Sequence, residues 1–158
     1  MSERARAAGA FTHPVVWLAI ALLVLNDHVL KQAYPSTFTG KLSDFAGLAF
    51  FPLLLDGAIE LGLAALGRYE GPSRRRLVAC IAVTGVSFAL MKTTALGATV
   101  YAYGLGAARW PFAVLYAAIV GDPPAPFRLA HLVRDPTDLV ALLALAIPYA
   151  IGTRRAAS

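Results

Sequence analysis

The chain has 158 residues, 58% of them hydrophobic and only 15% charged, with a formal net charge of +5 and a mean hydropathy of +0.64. That balance exceeds what a water-exposed surface tolerates and places the chain among integral membrane proteins. The single cysteine, Cys80, sits in an apolar run, which excludes a disulfide framework within one chain and a cysteine-rich metal site. The basic residues form short clusters beside apolar segments rather than one polar face, a pattern that fits membrane orientation and speaks against nucleic acid as a partner.

In chain order, Arg4 and Arg6 precede an apolar stretch that starts at Pro14 and superficially matches a secretory signal. The stretch runs into Asn26-Asp27-His28 with no small-residue cleavage pattern, so it reads as a retained first span over 14–33, with Pro14 in its first turn and Pro35 beyond its end. A second span follows over 43–66, for which Ser43 and Asp44 are candidate caps. "EGPSRRR" at 70–76 is a tight connection, with Ser73 as a capping residue. The third span covers 77–101. Within the long connection at 104–133, "WPFAVLYAAIV" at 110–120 is too short to cross and rich in aromatic residues, so it predicts a re-entrant or interfacial helix. The fourth span, over 136–153, opens with "DPTD": Asp135 as the N-cap, Pro136 as the first helical residue and Asp138 in the first turn. The fold expected is all-α: one polytopic membrane domain with four transmembrane helices.

Orientation follows from the distribution of bases. The amino end, the second connection and the carboxyl end carry Arg4, Arg6, Arg68, Arg74, Arg75, Arg76, Arg154 and Arg155 against Glu3 and Glu70. The other side carries Lys31, Lys41, Arg109, Arg128 and Arg134, nearly offset by Asp27, Asp44, Asp122, Asp135 and Asp138. Cytoplasmic loops accumulate Lys and Arg, so both termini are expected inside, in a multi-pass inner-membrane protein.

This orientation gathers the polar motifs at the outer face. Lys92 joins them, roughly 22 Å along a core about 30 Å thick when measured from Leu77. Asp27 and Lys31 are four apart and share a helix face, whereas His28 points about 100° away. Asp27, Asp44, Asp135 and Asp138 are matched by Lys31, Lys41, Lys92 and Arg134, and a nearly neutral cluster is tolerable at low dielectric where isolated acids are not. On the inner half of the second span, Asp56 requires a partner such as Thr84 or a water-lined groove, while Glu60 is within reach of the headgroup region.

Two stretches carry a family resemblance. "GKLSDFAGLAFFPLLL" at 40–55 and "VRDPTDLVALLALAIPYAI" at 133–151 resemble spans of the VanZ-like family of small polytopic bacterial membrane proteins, and together they cover under a quarter of the chain. Asp44 stands where that family usually has histidine, Leu142 where an asparagine follows the aspartate, and Lys92 where an acidic residue is usual. The resemblance implies a four-helix membrane fold associated with cell-envelope glycopeptide resistance.

The function expected is binding or processing of an anionic or amphipathic cell-envelope ligand at the outer helix ends. Lys31, Lys41, Lys92 and Arg134 would hold an anionic group, with Asn26, His28 and Asp135 in the same ligand-binding set. Asp27, Asp44 and Asp138 are the candidate general acids or bases. No cofactor is implied, and His28 lacks the companion spacing of a metal ligand. Membrane lipids are the first partners, joined by a membrane protein or a second copy of the chain. Two alternatives stand beside this: a non-catalytic assembly subunit, and proton or ion transport by an oligomer with Asp56 and Glu60 on the path.

Overall fold

The structure is a computed structural model that describes Gly9, Phe11, residues 13–34 and residues 36–157. Glu3, Arg4, Arg6 and Pro35, used above for orientation and helix ends, lie outside the described residues. Every regular element among those described is helical, and five helices are long and apolar enough to cross a membrane. The protein is therefore a multi-pass membrane protein.

Helix α1 spans Pro14–Ala33. Pro14 occupies its first turn, and His13 Nδ1 accepts from the Val15 N–H at 3.3 Å. Near its end, Asn26–Leu30 forms a π-turn in which the Lys31 N–H donates to the Asn26 carbonyl. Helix α2, Thr37–Ala65, begins six residues before the predicted span. Its cap is Ser36 rather than Ser43 or Asp44: the Ser36 hydroxyl accepts from the Thr39 N–H and the Thr39 hydroxyl accepts from the Ser36 N–H, a reciprocal capping box. The polar run "STFTGK" is helical because this box nucleates it, although its hydropathy is too low to join a span.

Helix α3, Arg74–Thr93, starts where expected, with Ser73 Oγ accepting from the Arg76 N–H. It stops eight residues before the predicted end of the third span. Thr94 is extended and its hydroxyl accepts from the Gly97 N–H at 3.0 Å, so it caps a new helix, α4, over Ala95–Val120. The turn is tight enough that a Cβ on Gly97 would collide with the Leu90 carbonyl. Residues 110–120, expected as a short element of their own, are the second half of α4. After Gly121, which ends α4 with φ 79°, residues 122–135 form no regular element. Helix α5 starts as a 3-10 helix over Pro136–Leu145 and continues as α-helix over Ala146–Ala157. Asp135 caps it as predicted, its Oδ1 accepting from the Thr137 N–H at 2.9 Å.

The chain forms two compact units, residues 1–86 with 140–158, and residues 87–139. In the first, Val16, Leu53 and Leu77 are almost fully buried, with Ile20, Phe50, Ile81 and Ile151 against them; α1, α2, α3 and α5 thus share one core. Helices α3 and α5 pack antiparallel through glycines: Gly152 meets Leu77, and a Cβ on Gly85 would lie 2.9 Å from Leu145 Cδ1. Small residues let helix backbones approach in a membrane, where packing replaces the hydrophobic driving force.

In the second unit, α4 is covered by the chain that returns from its end. The Ala130 N–H donates to the Ala102 carbonyl at 3.1 Å, and Trp110 Nε1 donates to the Ala125 carbonyl at 2.9 Å. Phe127 stacks on Tyr103 and meets Trp110 edge-on, with centroids 6.4 and 6.3 Å apart. Residues 122–130 therefore run back along α4 toward its start.

The Gly152–Leu77 contact gives a test of the core. Gly152→Val is expected to lower the thermal midpoint in detergent by several degrees, as overpacking costs about 1–3 kcal/mol. Adding Leu77→Ala to Gly152→Val is expected to recover part of that loss, and no recovery would place the contact elsewhere.

Candidate functional site

The turn end of the α1–α2 hairpin is built on the π-turn. Asn26 is fully buried and uses both amide hydrogens, donating to the Thr39 carbonyl at 2.6 Å and to Ser43 Oγ at 2.7 Å. Ser43 Oγ in turn donates to Asp27 Oδ1 at 2.7 Å, and Lys31 Nζ donates to the same oxygen at 2.7 Å. The result is a directed chain, from Asn26 through Ser43 to Asp27, closed by Lys31. The Asp27–Lys31 pairing is the one their spacing predicts. Asn26 Oδ1 is buried and meets no donor among the described residues, a state that costs about 1–3 kcal/mol unless a donor is supplied. The Asp27 and Lys31 side chains are 40% and 39% exposed, so the outer edge of the chain of bonds is open.

The other expected site residues divide as follows. His28 is exposed, with its Nδ1 3.1 Å from the Val24 carbonyl. Lys41 and Asp44 are half-buried on α2. In the second unit, Lys92 and Asp138 are buried and bonded, Nζ to Oδ2 at 2.7 Å, with the Lys92 ammonium 5.5 Å from the Phe88 ring centroid. Asp135 is spent on the α5 cap, and Arg134 is exposed. The structure thus joins Asn26, Asp27 and Lys31 in one unit, and Lys92 and Asp138 in the other. Ser43, expected as a helix cap, is the link that binds the first group together.

At the opposite end of the first unit lies a buried charge network that the composition count concealed. Arg76 Nε donates to Asp56 Oδ1 at 2.7 Å, and its Nη2 donates to Glu60 Oε1. Arg155 Nη2 donates to Glu60 Oε2. Glu60 is fully buried and Asp56 is 4% exposed. Asp56 is therefore partnered by Arg76 rather than Thr84, whose hydroxyl donates to the Cys80 carbonyl. Glu60 does not extend to the headgroups; two arginines come to it. Two acids and two bases cancel, which is what a low-dielectric interior demands. Next to the network, Arg74 donates to the Tyr149 hydroxyl at 2.7 Å, its guanidinium carbon 5.8 Å from the ring centroid. These bonds hold the end of α2, the start of α3 and the end of α5 together. One signal was present in the sequence: Arg76 heads the stripe Arg76, Cys80, Thr84, Phe88 at i, i+4 spacing, the last three of which are buried.

Among the described residues no group of three or more His, Cys, Asp or Glu is arranged to hold a metal ion. Comparison with protein-family models, with curated proteins and with solved structures gives no match. The chemistry is therefore read from the side chains. Ser43 is a poor nucleophile here: its lone pair accepts from Asn26, and the carboxylate beside it is already neutralised by Lys31. Asp27 and Lys31 are the part-exposed members of this chain of bonds.

Breaking either buried charge set is expected to destabilise the fold. Arg76→Ala strands two buried carboxylates and should cost about 3–5 kcal/mol, lowering the thermal midpoint in detergent by about 6–20 °C. Lys92→Met alone should be similarly harmful, whereas Lys92→Met with Asp138→Leu should regain most of the loss, because an apolar pair tolerates burial without a partner. A double variant as unstable as the single one would contradict a simple ion pair.

Proposed function

We propose that this is a four-span membrane protein whose outer face binds the polar headgroup of an amphipathic cell-envelope ligand through Asn26, Asp27, Lys31 and Ser43, without chemical conversion. The topology rests on three supports. First, Lys92 at the end of α3 is bonded to Asp138 in the first turn of α5, so the excursion 94–135 leaves and re-enters at one end of an antiparallel pair. An even number of crossings follows: α4 and its return segment both cross or neither does.

Second, the return segment is exposed at most positions, is not helical, and contains Pro123, Pro124 and Pro126. Lipid-exposed backbone of this kind leaves peptide groups without partners at several kcal/mol each, so it does not cross hydrocarbon. Helix α4 is therefore an interfacial helix on the outer side, even though its length and apolarity would suffice for a span. Third, Arg68, Arg74, Arg75, Arg76, Arg154 and Arg155 mark the opposite end as cytoplasmic. In a bacterium this is the inner membrane, as the VanZ-like resemblance of 40–55 and 133–151 also implies.

The observation that carries the ligand reading is the directed chain Asn26 to Ser43 to Asp27, held rigid by a π-turn and open at Asp27. Single π-turns inside α-helices occur often at functional sites. A carboxylate oxygen beside an ammonium suits hydroxyl groups, which donate to the one and accept from the other. The assembly-subunit reading has one observation in its favour, the breadth of exposed apolar surface, but lipid covers such surface in any membrane protein.

Both halves of the proposal are open to measurement. With Asp122→Cys, a membrane-impermeant maleimide should label intact cells, while Glu70→Cys should react only after permeabilisation; the reverse at Asp122 would make α4 a span. For the ligand, spin-labelled phosphatidylglycerol, whose headgroup carries two hydroxyls, should show a motionally restricted fraction with the reconstituted protein. The affinity should fall about tenfold with Asp27→Asn or Lys31→Gln, both at part-exposed positions, at little-changed thermal stability. Equal retention by both variants would remove the site.

A further inference from the structure

The second unit contains a cavity of about 410 Å³ between α4 and the segment that returns along it, lined among others by Arg109, Trp110, Arg128 and His131. Its shape is fixed from three sides. Trp110 is anchored through its indole N–H to the Ala125 carbonyl, and Phe127 is wedged between Tyr103 and Trp110. Gly106 is buried beneath the return segment, where a Cβ would lie 2.7 Å from the Arg128 carbonyl oxygen. The absence of a side chain at Gly106 is thus what lets the Arg128 backbone sit against the helix.

Asp27, Asp56, Glu60 and Asp138 are each bonded to a Lys or Arg. Arg109 and Arg128 line one cavity, and neither has an ion pair or hydrogen bond among the described residues. Two arginines that line one cavity with no carboxylate among its lining residues leave positive charge there that a doubly accepting anion can neutralise with forked hydrogen bonds. His131 adds a third donor at the same wall.

The rest of α4 indicates which anion. Phe112, Leu115, Tyr116 and Ile119 are 59–75% exposed and follow i, i+3, i+4, i+7 spacing, a continuous stripe about 130° around the helix from the cavity face. A helix with an exposed apolar stripe on one side and an arginine-lined cavity on another can offer a lipid both surfaces, the stripe to its acyl chains and the cavity to its headgroup.

We propose that this cavity binds the phosphate of an anionic phospholipid, with Arg109 and Arg128 as its ligands and Trp110 as the apolar wall beside the glycerol backbone. Its volume falls within the range of about 300–1,000 Å³ usual for small-molecule sites. The inference rests on α4 lying at the outer interface, which the Asp122→Cys labelling above tests by itself, so a failure of topology and a failure of this site are read from separate experiments.

The test uses the full chain in detergent micelles with Trp17→Phe, which leaves Trp110 as the sole tryptophan of the two in the sequence. Dihexanoyl phosphatidic acid is titrated while Trp110 emission is followed. A saturable change is expected, with dihexanoyl phosphatidylcholine far weaker. Arg109→Gln with Arg128→Gln should weaken binding at least about tenfold. Both arginines are exposed, so the variant should fold, and Arg128→Gln alone should move affinity in the same direction. An equal response to phosphatidylcholine, or undiminished binding by the double variant, would overturn the proposal. Saturation by inorganic phosphate at the same concentration would overturn the lipid assignment.

Discussion

The bond between Lys92 and Asp138 is the interaction on which the rest of this architecture depends. It ties the last turn of one apolar helix to the first turn of another, and so closes the long excursion between them into a loop anchored at both ends. A buried ammonium and carboxylate each carry a desolvation penalty of several kcal/mol, and each makes the other tolerable. The pair is a weak argument for stability, since an apolar pair would serve as well. It is a strong argument for register, because a slip of either helix would strand a charge in a low-dielectric interior.

The same logic operates within the first unit, where Arg76 and Arg155 converge on Glu60 and Arg76 also holds Asp56. Three helix ends meet in one neutral cluster. In the same unit the helices are joined by close glycine contacts and by a small apolar core around Val16, Leu53 and Leu77. Packing alone specifies helix proximity in lipid loosely, because acyl chains are as apolar as leucine. The charges add what packing lacks, a definite pairing of ends. Both proposed sites use groups that this scaffold leaves open: the exposed edge of the Asn26, Ser43, Asp27 chain, and the two guanidiniums of the α4 cavity.

How much of this was legible in the sequence can be argued residue by residue. Hydropathy places α1 over 14–33 as found, because its window is uninterrupted. It misses the first six residues of α2, since a capping box works through Ser36 and Thr39 and is invisible to hydropathy. It merges α3 with the start of α4, because Thr94 breaks the helix by an extended backbone and a side-chain cap, with no proline to announce it. Pairing at i, i+4 on one helix, as for Asp27 and Lys31, is readable from spacing. Pairing across helices, as for Arg76 with Asp56, is not: three consecutive arginines look alike until the buried stripe below Arg76 is traced. The Arg109 and Arg128 cavity depends on a return segment folding back along α4, which no local pattern encodes.

The central claim is that residues 94–135 leave and return at one end of the α3–α5 pair. Nitroxides introduced as Thr93→Cys and Arg134→Cys, both exposed positions, with Cys80 replaced by alanine, measure this by double electron–electron resonance in reconstituted vesicles. A mean separation below about 25 Å is expected if both positions sit on one side. A separation of about 30 Å or more, the thickness of the hydrocarbon core, would put them on opposite sides and contradict the account.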